Sequence, residues 1–156
     1  MAGTMGASAA VLRLLSDYKH VQADPPEGCS AAPVSEDNLF QWNAAVSGPE
    51  GTPWEGGIYN MHLAFSDNYP TKPPKIRFVS EMFHPNIYSD GSICLDIIQD
   101  KWSPIYTISS ILTSIQSLLA DPNINSPANP DAASLYSKDI KAYKRRVRQC
   151  AERSIN

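Results

Sequence analysis

Val11, Leu14, Leu15 and Tyr18 fall at i, i+3, i+4 and i+7, the spacing that gathers apolar side chains on one face of a helix. Asp24-Pro25-Pro26 stops that helix, because proline lacks an amide hydrogen and disfavours helical backbone in the residue before it. The period then changes to two. Cys29 to Val34 suits a short edge strand, and the alternating sets Phe40, Trp42, Ala44, Val46 and Tyr59, Met61, Leu63, Phe65 predict half-buried strands. Gly48-Pro49-Glu50-Gly51 and Glu55-Gly56-Gly57 supply turns, and Ile76 and Phe78 begin a fourth strand after Pro70, Pro73 and Pro74. These connections are too short for crossover helices, so the four strands predict an antiparallel meander.

After Phe78 the periodicity disappears until about Tyr106. Loops this long inside a compact domain are functional or disordered as a rule, and Phe83, Ile97, Ile98 and Trp102 predict that this one is packed. Helical spacing returns with Ile108, Ile111, Leu112, Ile115, Leu118 and Leu119, the strongest stripe in the chain, with Thr107 as N-cap and Asp121-Pro122 as its end. Asn129-Pro130 reads as an N-cap followed by proline at the first helical position. A last helix, near Lys138 to Ser154, carries Ile140, Tyr143 and Val147 on one face. The expected order is helix, four strands, loop, three helices: an α+β chain with one domain over 9–156 behind a flexible lead-in over 1–8.

The 156 residues are enough to bury one core without disulfide staples. With 42% apolar and 19% charged residues and a net charge of −3, the whole molecule is not an electrostatic nucleic-acid binder. Seven of the 13 lysines and arginines lie between Lys138 and Arg153, but no aromatics interleave with them, so that helix reads as a solvated face with no direct nucleic-acid role. Three cysteines without a CxxC pair argue for a reducing compartment. No apolar run reaches membrane-spanning length and no signal peptide opens the chain, so a cytoplasmic and nuclear location with no membrane partner is expected. His20, His62 and His84 are scattered, and no cysteine–histidine spacing fits zinc, so no metal is expected. The absence of GxxxxGK[ST] and GxGxxG argues against a bound nucleotide; ATP, if it is used, is used by another protein.

The chemistry concentrates in His84-Pro85-Asn86-Ile87-Tyr88-Ser89-Asp90-Gly91-Ser92-Ile93-Cys94-Leu95-Asp96. Cys94 follows Asn86 by eight residues in a turn-forming segment. A thiolate is a natural carrier for an acyl group, and a nearby amide can steady the oxyanion formed when that group moves on. Flanked by Ile93 and Leu95, Cys94 also fits a buried structural cysteine, and spacing alone leaves the two readings even. Cys29 and Cys150 have no such setting. His84 fits either the base of a cysteine hydrolase or a residue that holds the loop through hydrogen bonds; a histidine beside a proline in a tight loop favours the second.

Read in order, Trp42-Asn43, Gly48-Pro49, Gly57-x-Tyr59, Tyr69-Pro70-x-Lys72-Pro73-Pro74, His84-Pro85-Asn86, Cys94-Leu95-Asp96, Trp102-Ser103-Pro104 and Asp121-Pro122-Asn123 resemble the ubiquitin-conjugating enzymes over about Ala9 to Ile155. The run from Ile111 to Asn129 is similar to one branch of that family, which acts in histone ubiquitination, DNA-damage tolerance, DNA repair and N-degron protein degradation. The resemblance implies the ubiquitin-conjugating fold, a four-stranded antiparallel meander flanked by four helices. It implies that Cys94 accepts ubiquitin as a thioester from an ATP-using activating enzyme and passes it to substrate lysines, usually with a RING-type ligase. Protein substrates, histones among them, are what the branch implies. Asn86 would orient the loop or donate to the oxyanion, Tyr88 and Asp96 would position and desolvate the lysine, and His84 and Pro85 would shape the loop. Arg13, Lys19, Lys72, Pro73, Pro74, Ser103, Pro104 and Ile105 would form the surface for the activating enzyme and ligase, and Ser30 would mark a second, non-covalent ubiquitin site on the sheet.

The chain departs from the family pattern in places. Ser126 stands where members often carry an acidic residue guarding the site, which makes it a candidate phosphorylation site. The first helix keeps only Arg13, Lys19 and His20, with Val11 and Leu12 where close relatives are basic. Rival readings are a non-catalytic module of the same fold, which would lack the cysteine, a carrier of a different ubiquitin-like modifier, and a cysteine hydrolase.

Overall fold

A computed structural model describes residues 8–156. The lead-in expected over 1–8 lies outside the described residues except for Ser8, whose hydroxyl accepts a hydrogen bond from the Val11 amide and caps the first helix. That helix, α1, spans Ala9–Ala23; four strands follow, β1 Cys29–Ser35, β2 Asn38–Ser47, β3 Ile58–Ala64 and β4 Lys75–Phe78. After the loop come α2 Ile108–Ala120, α3 Pro130–Lys138 and α4 Ile140–Ser154.

The sheet runs β1-β2-β3-β4 with every neighbouring pair antiparallel, the meander expected from the short connections. Its register follows from the apolar alternation. Trp42 pairs with Leu63, Ala44 with Met61 and Val46 with Tyr59; Leu63 then pairs with Ile76 and Met61 with Phe78. All of these face one side, and a slip by one residue would turn them to water. Against that face packs α2, whose six stripe residues are all buried. Thr107 caps α2 as its sequence position predicts, and Ser110 completes a reciprocal capping box with it.

Two helical faces differ from expectation. The buried side of α1 is Ala10, Leu14, Asp17 and Val21, while Leu15 is exposed and Val11 only half-buried. The small Ala10 and polar Asp17 are the reason: alanine adds little to an apolar stripe, and Asp17 is buried because it is bonded to Arg13 and to the Tyr69 hydroxyl. In α4 the buried set is Tyr143, Val147, Cys150 and Ala151. Ile140, expected on that face, is exposed in the first turn, because α3 ends at Lys138 and Asp139 caps the new helix.

The stretch from 79 to 106 is packed as expected. Phe83 and Ile98 are buried, and the Trp102 indole N–H donates to the Pro70 carbonyl at 2.9 Å. Among the described residues no helix is long and apolar enough to cross a membrane.

Candidate active site

The loop contains a small hairpin that periodicity does not reveal. The Cys94 amide donates to the Asn86 carbonyl at 2.8 Å, Ile87 bridges Ile93, and the Tyr88 amide donates to the Ser92 carbonyl at 2.9 Å. The Asp90-Gly91 turn closes it, with the Asp90 carboxylate accepting from the amide and hydroxyl of Ser92. Gly91 has φ +93, and a Cβ there would lie 2.2 Å from the Phe78 carbonyl oxygen, so only glycine fits. The Phe78 amide in turn donates to the Gly91 carbonyl, fastening the hairpin to the edge of β4. The eight-residue spacing of Asn86 and Cys94 is therefore a pairing distance: the two stand opposite each other across the hairpin.

Both side chains have defined surroundings. Asn86 is buried, and its amide group clasps the backbone of Asn123: Nδ2 donates to the Asn123 carbonyl at 2.6 Å, and Oδ1 accepts from the Asn123 amide at 2.8 Å. The neighbouring Pro85 carbonyl accepts from the amides of Ala128 at 2.7 Å and Asn129 at 3.0 Å. The crossing loop after α2 is thus pinned at both ends beside Asn86, with exposed Ser126 between the pins.

Cys94 is half-buried, whereas Cys29 and Cys150 are buried. Burial pushes the Cys29 thiol up to about 11 and raises Cys150 as well, so those two resist forming thiolates. Cys94 is the part-exposed thiol of the three, and its backbone is paired with that of Asn86.

His84 is fully buried and holds the loop. Its Nδ1 accepts from the Asn86 amide at 2.9 Å, which leaves Nε2–H to donate to the Leu118 carbonyl at 2.7 Å. Both ring nitrogens are occupied, so a hydrolase using His84 as base has no base. Burial pushes the His84 pKa down to about 4, opposed by the Leu118 bond, and the ring is neutral at physiological pH.

That depression has a stability consequence. Above pH 6.5 both folded and unfolded chains leave His84 neutral. As pH falls, the unfolded chain takes up the proton first, while the folded chain refuses it until about pH 4. Stability is complete above 6.5 and declines by about 2–3 kcal/mol between pH 7 and 4.5 from this group alone. In urea titrations His84→Gln should be less stable at pH 7 and lose less on acidification than the wild type. Parallel pH curves for the two proteins would exclude His84 as the source.

The other expected site residues are distributed as follows. Tyr88 is exposed (47%) on the hairpin beside Asn86. Asp96 is exposed at the start of a short 3-10 turn, Asp96–Ile98, two residues past Cys94. Lys19, Lys72, Pro104 and Ile105 are exposed, and Pro73 and Ser103 are half-buried. Pro74 is buried, correcting its assignment to a contact surface: it enters β4 beneath the sheet face that Ile76 and Phe78 continue. Ser30 is exposed on β1, flanking a shallow depression of small residues with Ala32, Asn43, Ala45 and Asn60. Among the described residues no group of three or more His, Cys, Asp or Glu is placed to hold a metal.

The sequence model described as "Ubiquitin-conjugating enzyme" matches residues 13–151. The chain belongs to the ubiquitin-conjugating enzyme family. It is 56% identical over 142 residues to "Ubiquitin-conjugating enzyme E2 3" of Arabidopsis thaliana, covering 91% of this chain and 94% of that one. It is 54% identical over 144 residues to "Ubiquitin-conjugating enzyme E2 2" of Candida albicans, covering 92% and 80% respectively. As a ubiquitin-conjugating enzyme it carries ubiquitin by thioester transfer, and its general partners are ubiquitin, an activating enzyme and a ligase. The antiparallel meander with four α-helices is the fold expected of such an enzyme.

Proposed function

We propose that Cys94 is the residue that carries the ubiquitin. The observation that bears this reading is its position: a part-exposed thiol hydrogen-bonded through its own amide to Asn86, on a hairpin fastened at its turn, its base and its flank. The Cys94 thiolate attacks the thioester held by the activating enzyme, and that enzyme's thiolate leaves. A neutral substrate lysine then attacks the same carbonyl carbon, an oxyanion forms, the amine nitrogen gives up its extra proton to solvent, and collapse expels the Cys94 thiolate as the isopeptide bond closes. ATP is spent by the activating enzyme, and this chain binds none. Asn86 stands where an amide N–H meets the oxyanion, and Tyr88 and Asp96 flank the approach of the lysine. The test is incubation with ubiquitin, activating enzyme and ATP, followed by a non-reducing gel. A thiol-labile adduct is expected; none, beside a control enzyme that charges, points to another modifier or a binding role.

Ser126 is the gate in this reading. It sits on a loop whose ends are stitched to Pro85 and Asn86, so charge added there is held near the site. Phosphorylation supplies the acid that family members often carry at this position. Ser126→Asp should raise lysine discharge by about fivefold, the effect of roughly 1 kcal/mol in a solvated electrostatic contact. Discharge no faster than wild type in single-turnover chase removes this role.

Lys19, Lys72, Pro73, Ser103, Pro104 and Ile105 form the surface for activating enzyme and RING-type ligase, and Ser30 marks the non-covalent ubiquitin site on the sheet. The run Ile111–Asn129 supports placement in the branch that acts on histones, in DNA-damage tolerance and in N-degron turnover, with a cytoplasmic and nuclear location.

A further inference from the structure

We infer that Arg13 is a positioning residue: with Asp17 and Tyr69 it clamps the 103–106 loop from beneath and so presents Ile105 to the enzyme's partners. The sequence reads Arg13 as a free surface charge. In the structure its guanidinium is committed on all three nitrogens. Nε donates to the Asp17 carboxylate at 3.2 Å, and the two terminal nitrogens donate to the carbonyls of Pro104 at 2.8 Å and Tyr106 at 2.5 Å. Its carbon lies 5.4 Å from the centre of the Tyr69 ring. The Arg13 side chain retains only 23% exposure, and an adjacent carboxylate neutralises its charge. A charge so placed is poorly suited to long-range steering.

Asp17 is the anchor of the clamp. It is buried, and its second oxygen accepts a hydrogen bond from the Tyr69 hydroxyl. Tyr69 packs on Trp102, whose indole is bonded to the Pro70 carbonyl and whose ring lies beside Tyr106. Three segments distant in sequence, α1, 69–70 and 102–106, are thus tied at one point. Without Arg13 the loop keeps the Tyr106 amide bond to the Ser103 carbonyl at 3.0 Å and a long contact from the Ile105 amide to the Ser103 hydroxyl at 3.4 Å. Ile105 is 81% exposed at its tip. An apolar side chain projected this far is of use to a partner only if its backbone is already ordered, since a mobile loop charges its ordering entropy against binding. Lysine cannot replace arginine in the clamp, because one ammonium does not span two carbonyls and a carboxylate in a planar fork.

The inference rests on residues 103–105 being part of the partner surface. It is tested with Arg13→Lys, Arg13→Gln and Asp17→Asn, after circular dichroism confirms that each is folded. Two quantities are read: amide hydrogen exchange at Ile105 and Tyr106 in the free protein, and KM and kcat for charging by the activating enzyme. We expect Arg13→Lys to behave as Arg13→Gln does, with loop exchange and KM each raised roughly tenfold and kcat retained. Asp17→Asn should move both readouts the same way, and the double variant Arg13→Lys/Asp17→Asn should be less than additive. A wild-type KM in Arg13→Lys overturns the inference in favour of a plain charge, and unchanged loop exchange overturns the clamp itself. Faster exchange with unchanged KM overturns it by removing the loop from the partner surface. Failure of the Cys94 reading would instead appear as no charging of the wild type, a result on which the exchange measurement does not depend.

Discussion

Cys94→Ala should yield no ubiquitin adduct at all, and Cys94→Ser should yield one that survives reducing agent. The alanine variant lacks the nucleophile, and neither remaining cysteine can substitute: both are buried, and burial disfavours their thiolates. The serine variant keeps a nucleophile of similar size in the same hairpin, still with its amide on the Asn86 carbonyl. Its acyl link is an oxygen ester, which thiols do not exchange readily, whereas the wild-type thioester is cleaved by them. Serine is the poorer nucleophile and should charge far more slowly, so the gel must be followed over hours. The pair of variants separates two questions that a single deletion confuses. Loss in alanine alone says that the thiol is needed. A thiol-resistant adduct in serine says that the acyl group sits on this side chain. An adduct that persists in Cys94→Ala would reassign the carrier. Circular dichroism should show both variants folded, because Cys94 is only half-buried.

Much of this was legible because the relevant signals are local. Alternation along β2 and β3 fixes both face and register, and the α2 stripe needs nothing beyond its own spacing. Thr107 and Asn129 act within three residues of themselves. What was not legible depends on partners far along the chain. Asp17 is polar and buried because Tyr69 lies 52 residues away, and nothing in the helix spacing announces it. Arg13 reads as surface charge until the carbonyls of Pro104 and Tyr106 arrive beneath it. Pro74 sits in a proline cluster that resembles an exposed loop, yet it is buried where β4 begins. The site divides the same way. Cys94 and Asn86 stand out by residue type and spacing, but the hairpin that makes their spacing meaningful is too short to carry a period. The clasp of Asn86 on Asn123 spans 37 residues.

That clasp determines how Asn86 should fail. Asn86→Ala is expected to lower lysine discharge by about 10²–10³, the usual effect of losing one oxyanion donor. It should also reduce stability by about 1 kcal/mol, because the two part-buried hydrogen bonds to the Asn123 amide and carbonyl are lost. The side chain has two amide hydrogens, and among the described residues only one is spent, on the Asn123 carbonyl. The second remains to donate. Asn86→Asp separates holding the loop from stabilising the oxyanion. Aspartate keeps an oxygen for the Asn123 amide, so the crossing loop retains one of its two bonds, but it offers no donor and adds a negative charge beside a developing one. If Asn86 acts on the oxyanion, the aspartate variant discharges as slowly as alanine or more slowly, although its Cys94 amide exchanges hydrogen at a rate nearer wild type. If Asn86 only holds the loop, discharge recovers in step with that protection. The readouts are single-turnover chase of the charged enzyme with free lysine and amide exchange at Cys94, whose hydrogen bond to the Asn86 carbonyl reports directly on the hairpin. A discharge rate that tracks exchange across wild type, Asn86→Ala and Asn86→Asp would assign Asn86 to the loop alone, and the oxyanion would then need another donor.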